Sequence, residues 1–137
     1  MTISNGMERR TVSKYAALLI SGIFALNFLA QKFYWYSSIW WFDMPMHFFG
    51  GFLIALLCFW LWPTKATTGE FAAKVLFGVL FVGLGWEVFE LFFNNYVASN
   101  PFNYVDTFAD IFFDLAGGSL GVVFIYKKIT NIPKSTV

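Results

Sequence analysis

The chain has 137 residues, room for one domain. Of these, 58% are hydrophobic, 23% aromatic and only 12% charged. An ordinary soluble domain carries about 25% charged residues, so this chain cannot cover a water-facing surface and reads as an integral membrane protein. Nine Lys/Arg against eight Asp/Glu give a net charge of +1, which leaves no basic field for a nucleic-acid backbone and excludes DNA or RNA as a partner.

A bilayer core about 30 Å thick takes about 20 mostly apolar residues per helical crossing. Four stretches meet that demand, at roughly 15–36, 43–62, 71–97 and 106–126. The expectation is all-α: a compact bundle of four transmembrane helices forming one integral membrane domain over residues 1–137. Basic residues ahead of the first run also suit a secretory signal peptide, but the run is long. Cleavage after Ala30 would put bulky Phe28 where a small residue is needed, so the run reads as a span. The single cysteine, Cys58, falls inside the second span; it can form no internal disulfide and reads as a small apolar residue. Breaks fall at 63–70, with Pro63 and Gly69, and at 98–105, with Asn100-Pro101.

Eight of the nine basic residues, among them Arg9, Arg10, Lys14, Lys65, Lys74 and Lys127, fall on the N-terminal arm, in the second connection or the first turn after it, or on the C-terminal tail. Only Lys32 lies near the first connection. The positive-inside rule then puts both termini in the cytoplasm and the chain in the cell inner (plasma) membrane, with Trp35, Trp40, Trp41, Tyr96 and Tyr104 as an outer aromatic belt and Trp60 and Trp62 marking the inner interface.

Six of the eight carboxylates (Asp43, Glu87, Glu90, Asp106, Asp110, Asp114) and the one histidine, His47, belong to the outer half under that topology. At about 100° per residue, Asp43, His47 and Gly50 share a stripe on the second span. Gly83, Glu87, Glu90 and Asn94 lie within about 60° of one another on the third, and Asp106, Asp110, Asp114, Gly117, Gly118 and Gly121 within about 120° on the fourth. Gly117-x3-Gly121 has the small-xxx-small spacing of close helix contacts. An ionisable residue facing lipid at mid-helix costs about 2.5–3.5 kcal/mol, so the three stripes are expected to face one another in a shared polar pocket.

Six carboxylates beside one imidazole need protons, a metal or a cationic ligand to balance them. A divalent ion is the economical answer: oxygen donors with one imidazole suit Mg²⁺, Mn²⁺, Ca²⁺ or iron, and Zn²⁺ is compatible with two or three carboxylates plus His. The ligands expected are His47, Glu87, Glu90, Asp110 and Asp114, enough for one or two ions. Asp43 and Asp106 read either as helix N-caps or as general bases acting on activated water. Buried groups that only fix helix register are the alternative for Glu87, Asp110 and Asp114, and equally for Glu90 and His47.

The ordered set Asp43-x3-His47, Glu87-x2-Glu90 and Asp106-x3-Asp110-x3-Asp114 followed by Ala116-Gly117-Gly118 resembles the uncharacterised bacterial inner-membrane family typified by YjdF and, more distantly, the VanZ-like membrane proteins. It covers roughly residues 42–122. The resemblance implies a compact polytopic membrane fold and carries no catalytic assignment. Against the VanZ-like pattern, Glu90 and Asp114 stand at Gln-like and Asn-like positions. The Asp-x3-Asp pair is also shared with the CDP-alcohol phosphotransferases, but their upstream Asp-Gly and Ala-Arg are missing here.

The functional expectation is a metal-dependent membrane enzyme that hydrolyses or transfers a phosphoryl group on a lipid-linked substrate at the outer face, with membrane lipid as its partner. Two other classes stay open: a cation- or proton-handling protein, and a scaffold whose carboxylates serve packing alone.

Overall fold

The computed structural model describes residues 6–62, 68–93, 95–96 and 103–130. Their elements are α1 (Gly6–Lys32), α2 (Trp35–Ser38), α3 (Asp43–Leu61), α4 (Thr68–Phe93) and α5 (Tyr104–Thr130), with no strand among the described residues. The four long helices are each apolar and long enough to cross a membrane. At about 1.5 Å per residue even α3, the shortest, matches the bilayer core.

The first helix ends earlier than its apolar run predicts. Tyr34 takes a left-handed backbone (φ 57°), and the chain turns off into the short α2, whose Trp35 and Tyr36 rings pack edge-on against Phe42 at 5.5 and 5.1 Å. Residues 33–36 are thus an aromatic corner rather than a last turn of helix. Helix α4 (Thr68–Phe93) starts a few residues before its expected bound, and Asn95 and Tyr96 beyond it are π-helical. Pro63, Lys65, Asn94 and Asn100-Pro101 lie outside the described residues.

Two ends of the bundle have opposite character. At one end Val12 and Ala16 of α1, Leu56 and Phe59 of α3, Phe71 and Val75 of α4, and Val122 and Ile125 of α5 close a continuous apolar core. Cys58 is buried within it, as its apolar reading expects. Among the described residues, every buried acidic side chain and His47 lie on the other halves of α3, α4 and α5.

The most extensive pairing is α3 with α5. These two helices run in the same direction, since residues 48, 52 and 55 of α3 meet 117 and 121 of α5 in step. A Cβ on Gly51 would strike the Asp114 backbone carbonyl, and one on Gly117 the Phe48 carbonyl, so the backbones touch where side chains are missing. Because the helices are parallel, both N-terminal ends, with their partial positive charge, meet at the acidic end of the bundle. Helix α1 packs mainly on α3 and makes no substantial contact with α4. Its Leu18 and Phe24 remain more than two-thirds exposed, a lipid-facing surface.

Candidate metal centre

Asp43 opens α3, but the cap position is Phe42 and no side chain caps it; the N-cap reading of Asp43 does not hold. Its carboxylate turns down the helix toward His47, one turn on, with Oδ1 3.8 Å from Nε2. On α5 the cap belongs to Asn103, whose Oδ1 accepts a hydrogen bond from the Val105 amide at 3.2 Å, so Asp106 is not the cap either. Asp106 is exposed at the rim, while Asp110 and Asp114, one and two turns deeper, are 2% and 5% exposed.

His47 is 7% exposed and central. Its Nδ1 lies 3.4 Å from Asp114 Oδ2. Its Nε2 faces Asp43 at 3.8 Å and Asp110 Oδ1 at 3.9 Å. The two ring nitrogens thus have different partners. The short side, toward Asp114, has the arrangement in which a carboxylate orients a ligating imidazole through its second nitrogen. The long side is wider than a hydrogen bond, and it matches the separation of roughly 3–4 Å between donors that each stand about 2.1 Å from a common ion.

Two donor sets converge there, with ligand atoms all within 4.8 Å of one another: Asp43, His47 and Asp110, and His47, Glu87 and Glu90. His47 belongs to both, so the sets overlap in one place. Glu87 is 8% exposed, and its Oε1 is buried without a hydrogen-bond partner, although the Thr107 hydroxyl stands against the same carboxyl. Among the described residues, the ion pairs of these carboxylates all run through His47. Lys32 instead lies 5.9 Å over the Phe33 ring.

Glycines shape the floor. Gly83 of α4 brings its backbone against Asp114, where a Cβ would stand 2.6 Å from Oδ2, and Gly118 admits Val79 in the same way, at 2.8 Å. Gly50, on the Asp43 stripe, has room for a Cβ, with its nearest neighbour the Asp114 carboxylate at 4.0 Å.

Of the residues singled out from sequence, Asp43, His47, Glu87, Glu90, Asp110 and Asp114 are brought together. Asp114 belongs to neither donor set and contacts the opposite ring nitrogen. Sequence reasoning missed Thr107 and Tyr36 and gave Asn27, a polar residue in the outer half of the first span, no ligand role. The Tyr36 hydroxyl donates to Asn27 Oδ1 at 2.8 Å, and its phenol pKa is pushed up to about 12 by burial and by the Asp43 and Glu90 carboxylates. An Asn on an otherwise apolar span face is the one signal that marks this pair.

No curated protein and no solved structure gives a significant match to the chain. Residues 5–131, nearly the whole length and all four spans, match the family described as predicted membrane protein (DUF2238). With four apolar helices around a buried histidine and carboxylate cluster, the chain belongs to that DUF2238 membrane protein family.

Proposed function

We propose that this protein holds one divalent cation at the junction of α3, α4 and α5 and uses it to cleave a phosphoester of a lipid-linked substrate at the outer membrane face. The observation that carries the reading is Glu87 Oε1, a buried carboxylate oxygen without a partner beside His47 and Glu90 donor atoms. Leaving such an acceptor unsatisfied costs about 1–3 kcal/mol, which a bound cation removes. One ion fits better than two, because Nδ1 of His47 is taken up by Asp114 and only Nε2 is left to serve either donor set.

When bound, the ion supplies Lewis-acid activation of a water molecule and positive charge for a phosphoryl oxygen. His47 Nε2, Asp43, Asp110, Glu87 and Glu90 are the pool of donors. Asp114 holds the imidazole. Asp106 at the rim accepts the proton as water attacks phosphorus and passes it to the leaving oxygen when the phosphorus–oxygen bond to the lipid breaks. The charge asymmetry of the chain supports an orientation with both termini cytoplasmic, and the motif set supports kinship with the YjdF-like proteins and, through it, a bacterial inner-membrane placement. Ion passage has less support, since the opposite end of the bundle is an apolar plug.

Metal content by elemental mass spectrometry on the detergent-purified chain tests the reading. About one Mn²⁺, Zn²⁺, Fe²⁺ or Mg²⁺ per chain is expected in wild type after reloading, with loss in His47→Ala and Glu87→Gln. Metal-dependent release of phosphate or of a phosphorylated headgroup from lipid phosphoesters is expected to vanish in the same variants. Absence of metal from correctly folded, reloaded wild type overturns the proposal.

A further inference from the structure

A cavity of about 410 Å³ reaches from the candidate centre to the side of the bundle, within the size range of small-ligand sites. Its polar end is formed by Asp43, His47 and Asp114, below Tyr36 and Asn27. Its walls are apolar: Ile20, Ile23 and Phe24 of α1, Ile54 of α3, and Val82 and Trp86 of α4. Helices α1 and α4 flank it without substantial contact with each other. Phe24, Trp86, Ile20 and Val82 are between 49% and 73% exposed. In a chain of four spans, that side faces lipid.

The cavity also has a direction. Asp43 and Ile54 are eleven residues apart on α3, about 16 Å along the axis, or roughly half of a bilayer core about 30 Å thick. It therefore runs along the membrane normal through one leaflet, polar at the interface and apolar at the midplane. A second groove beside α1, lined by Leu19, Leu26 and Phe52 among others, is almost wholly apolar and reaches none of the acidic side chains. The α1–α4 cleft is the one of the two that joins lipid to the candidate centre.

We propose that the α1–α4 cleft is a lateral entry for one membrane phospholipid of the outer leaflet, with an acyl chain lying along Ile20, Ile23, Ile54 and Val82 and the phosphate directed to the Asp43–His47 end. The phosphate's approach to a carboxylate-lined end rests on the cation of the proposed function, which stands between the two negative groups; the chain's place in the cleft does not. Helix α1 is then the substrate wall, and Tyr36 with Asn27 forms the sill at headgroup depth.

The test uses the full chain in liposomes of phosphatidylethanolamine and phosphatidylglycerol with a trace of phosphatidylglycerol carrying a diazirine midway along one acyl chain. After irradiation, adducts are mapped by peptide mass spectrometry, and metal content is measured on the same samples. Adducts concentrated at 20–27 and 82–86, reduced severalfold in both Ile54→Trp and Val82→Trp but not in Leu19→Trp, are the expected result. Adducts spread evenly over the outward rings Phe77, Phe81, Phe108 and Phe112, or unchanged by both filling variants, mean annular lipid only and overturn the proposal. Cleft adducts in a chain that binds no metal support the cleft while retiring the metal reading. Bound metal with no cleft adducts does the reverse.

Discussion

Asp114 illustrates how much a single carboxylate's position decides. It shares a helical stripe with Asp110 and looks like its equivalent along the sequence, yet Asp110 faces Nε2 of His47 and Asp114 faces Nδ1. An orienting carboxylate of this kind is worth about 10–100-fold in metal affinity. Asp114→Asn is expected to weaken metal binding by about that factor while leaving stoichiometry intact at saturating metal, whereas Asp110→Ala removes a donor oxygen of the proposed site. Isothermal titration of the purified variants separates the two effects. Gly83→Ala makes the same point without replacing any titratable group: its Cβ would stand 2.6 Å from Asp114 Oδ2, so the carboxylate has to move and a lower affinity is the expected result. An unchanged affinity in Gly83→Ala would show that Asp114 does not orient the ring. The Tyr36 phenol, with its pKa pushed up to about 12, remains a hydrogen-bond donor to Asn27 throughout the physiological range, so the sill does not titrate.

At the scale of elements, glycines in different places have opposite consequences. Gly51 lies where α5 backbone occupies the space of a side chain, while a Cβ added to Gly22 on α1 would meet nothing within 4 Å. Gly51→Ala is expected to destabilise by about 1–3 kcal/mol through overpacking. Gly22→Ala is expected to stabilise by about 0.5–1 kcal/mol, because alanine loses less backbone freedom in a helix. Reversible unfolding in mixed detergent micelles reads both, and equal effects would contradict the parallel α3–α5 contact. The Gly117-x3-Gly121 spacing made the close approach on α5 legible in the sequence. Its partner was legible only in part: Gly50 and Gly51 both read as packing residues and helical arithmetic puts Gly50 on the Asp43 stripe, whereas the backbone contact falls on Gly51, a choice that depends on the crossing geometry of two helices far apart in the chain. The four spans were legible because a run of apolar residues about as long as the bilayer is thick has few other uses. The end of α1 was not, because it turns on the left-handed backbone of Tyr34 amid aromatic residues that look like more helix. The convergence of Asp43, His47, Glu87, Glu90, Asp110 and Asp114 could be read from stripes of charge, since such side chains must avoid lipid. Which nitrogen of His47 meets which carboxylate could not, because that depends on the axial offset of α3 against α5.

For the whole molecule, the separation of a polar end from an apolar end sets what can cross it. The apolar core gathered from Val12 to Ile125 leaves no buried charged or histidine side chain in the opposite half of the bundle among the described residues. Liposomes containing the protein and loaded with a pH-sensitive or Mn²⁺-quenched dye are expected to leak no faster than protein-free liposomes, even with metal bound outside. Flux abolished by Glu87→Gln would sink this expectation and favour the ion-handling class instead.

The parallel pairing of α3 and α5 also bears on how the chain is made. Parallel neighbours cannot be consecutive in a helical hairpin, so α3 emerges from the ribosome with His47 and Asp43 in place and waits for α4 and a connection before α5 arrives. At about 5–20 residues per second, that interval lasts on the order of seconds. Through it, the polar face of α3 must be sheltered by the insertion machinery or by its neighbour α1. The cleft beside α1 is then also where a half-made bundle would first meet lipid, and α1 is the one long helix already made when α3 enters, its lasting partner α5 still to come.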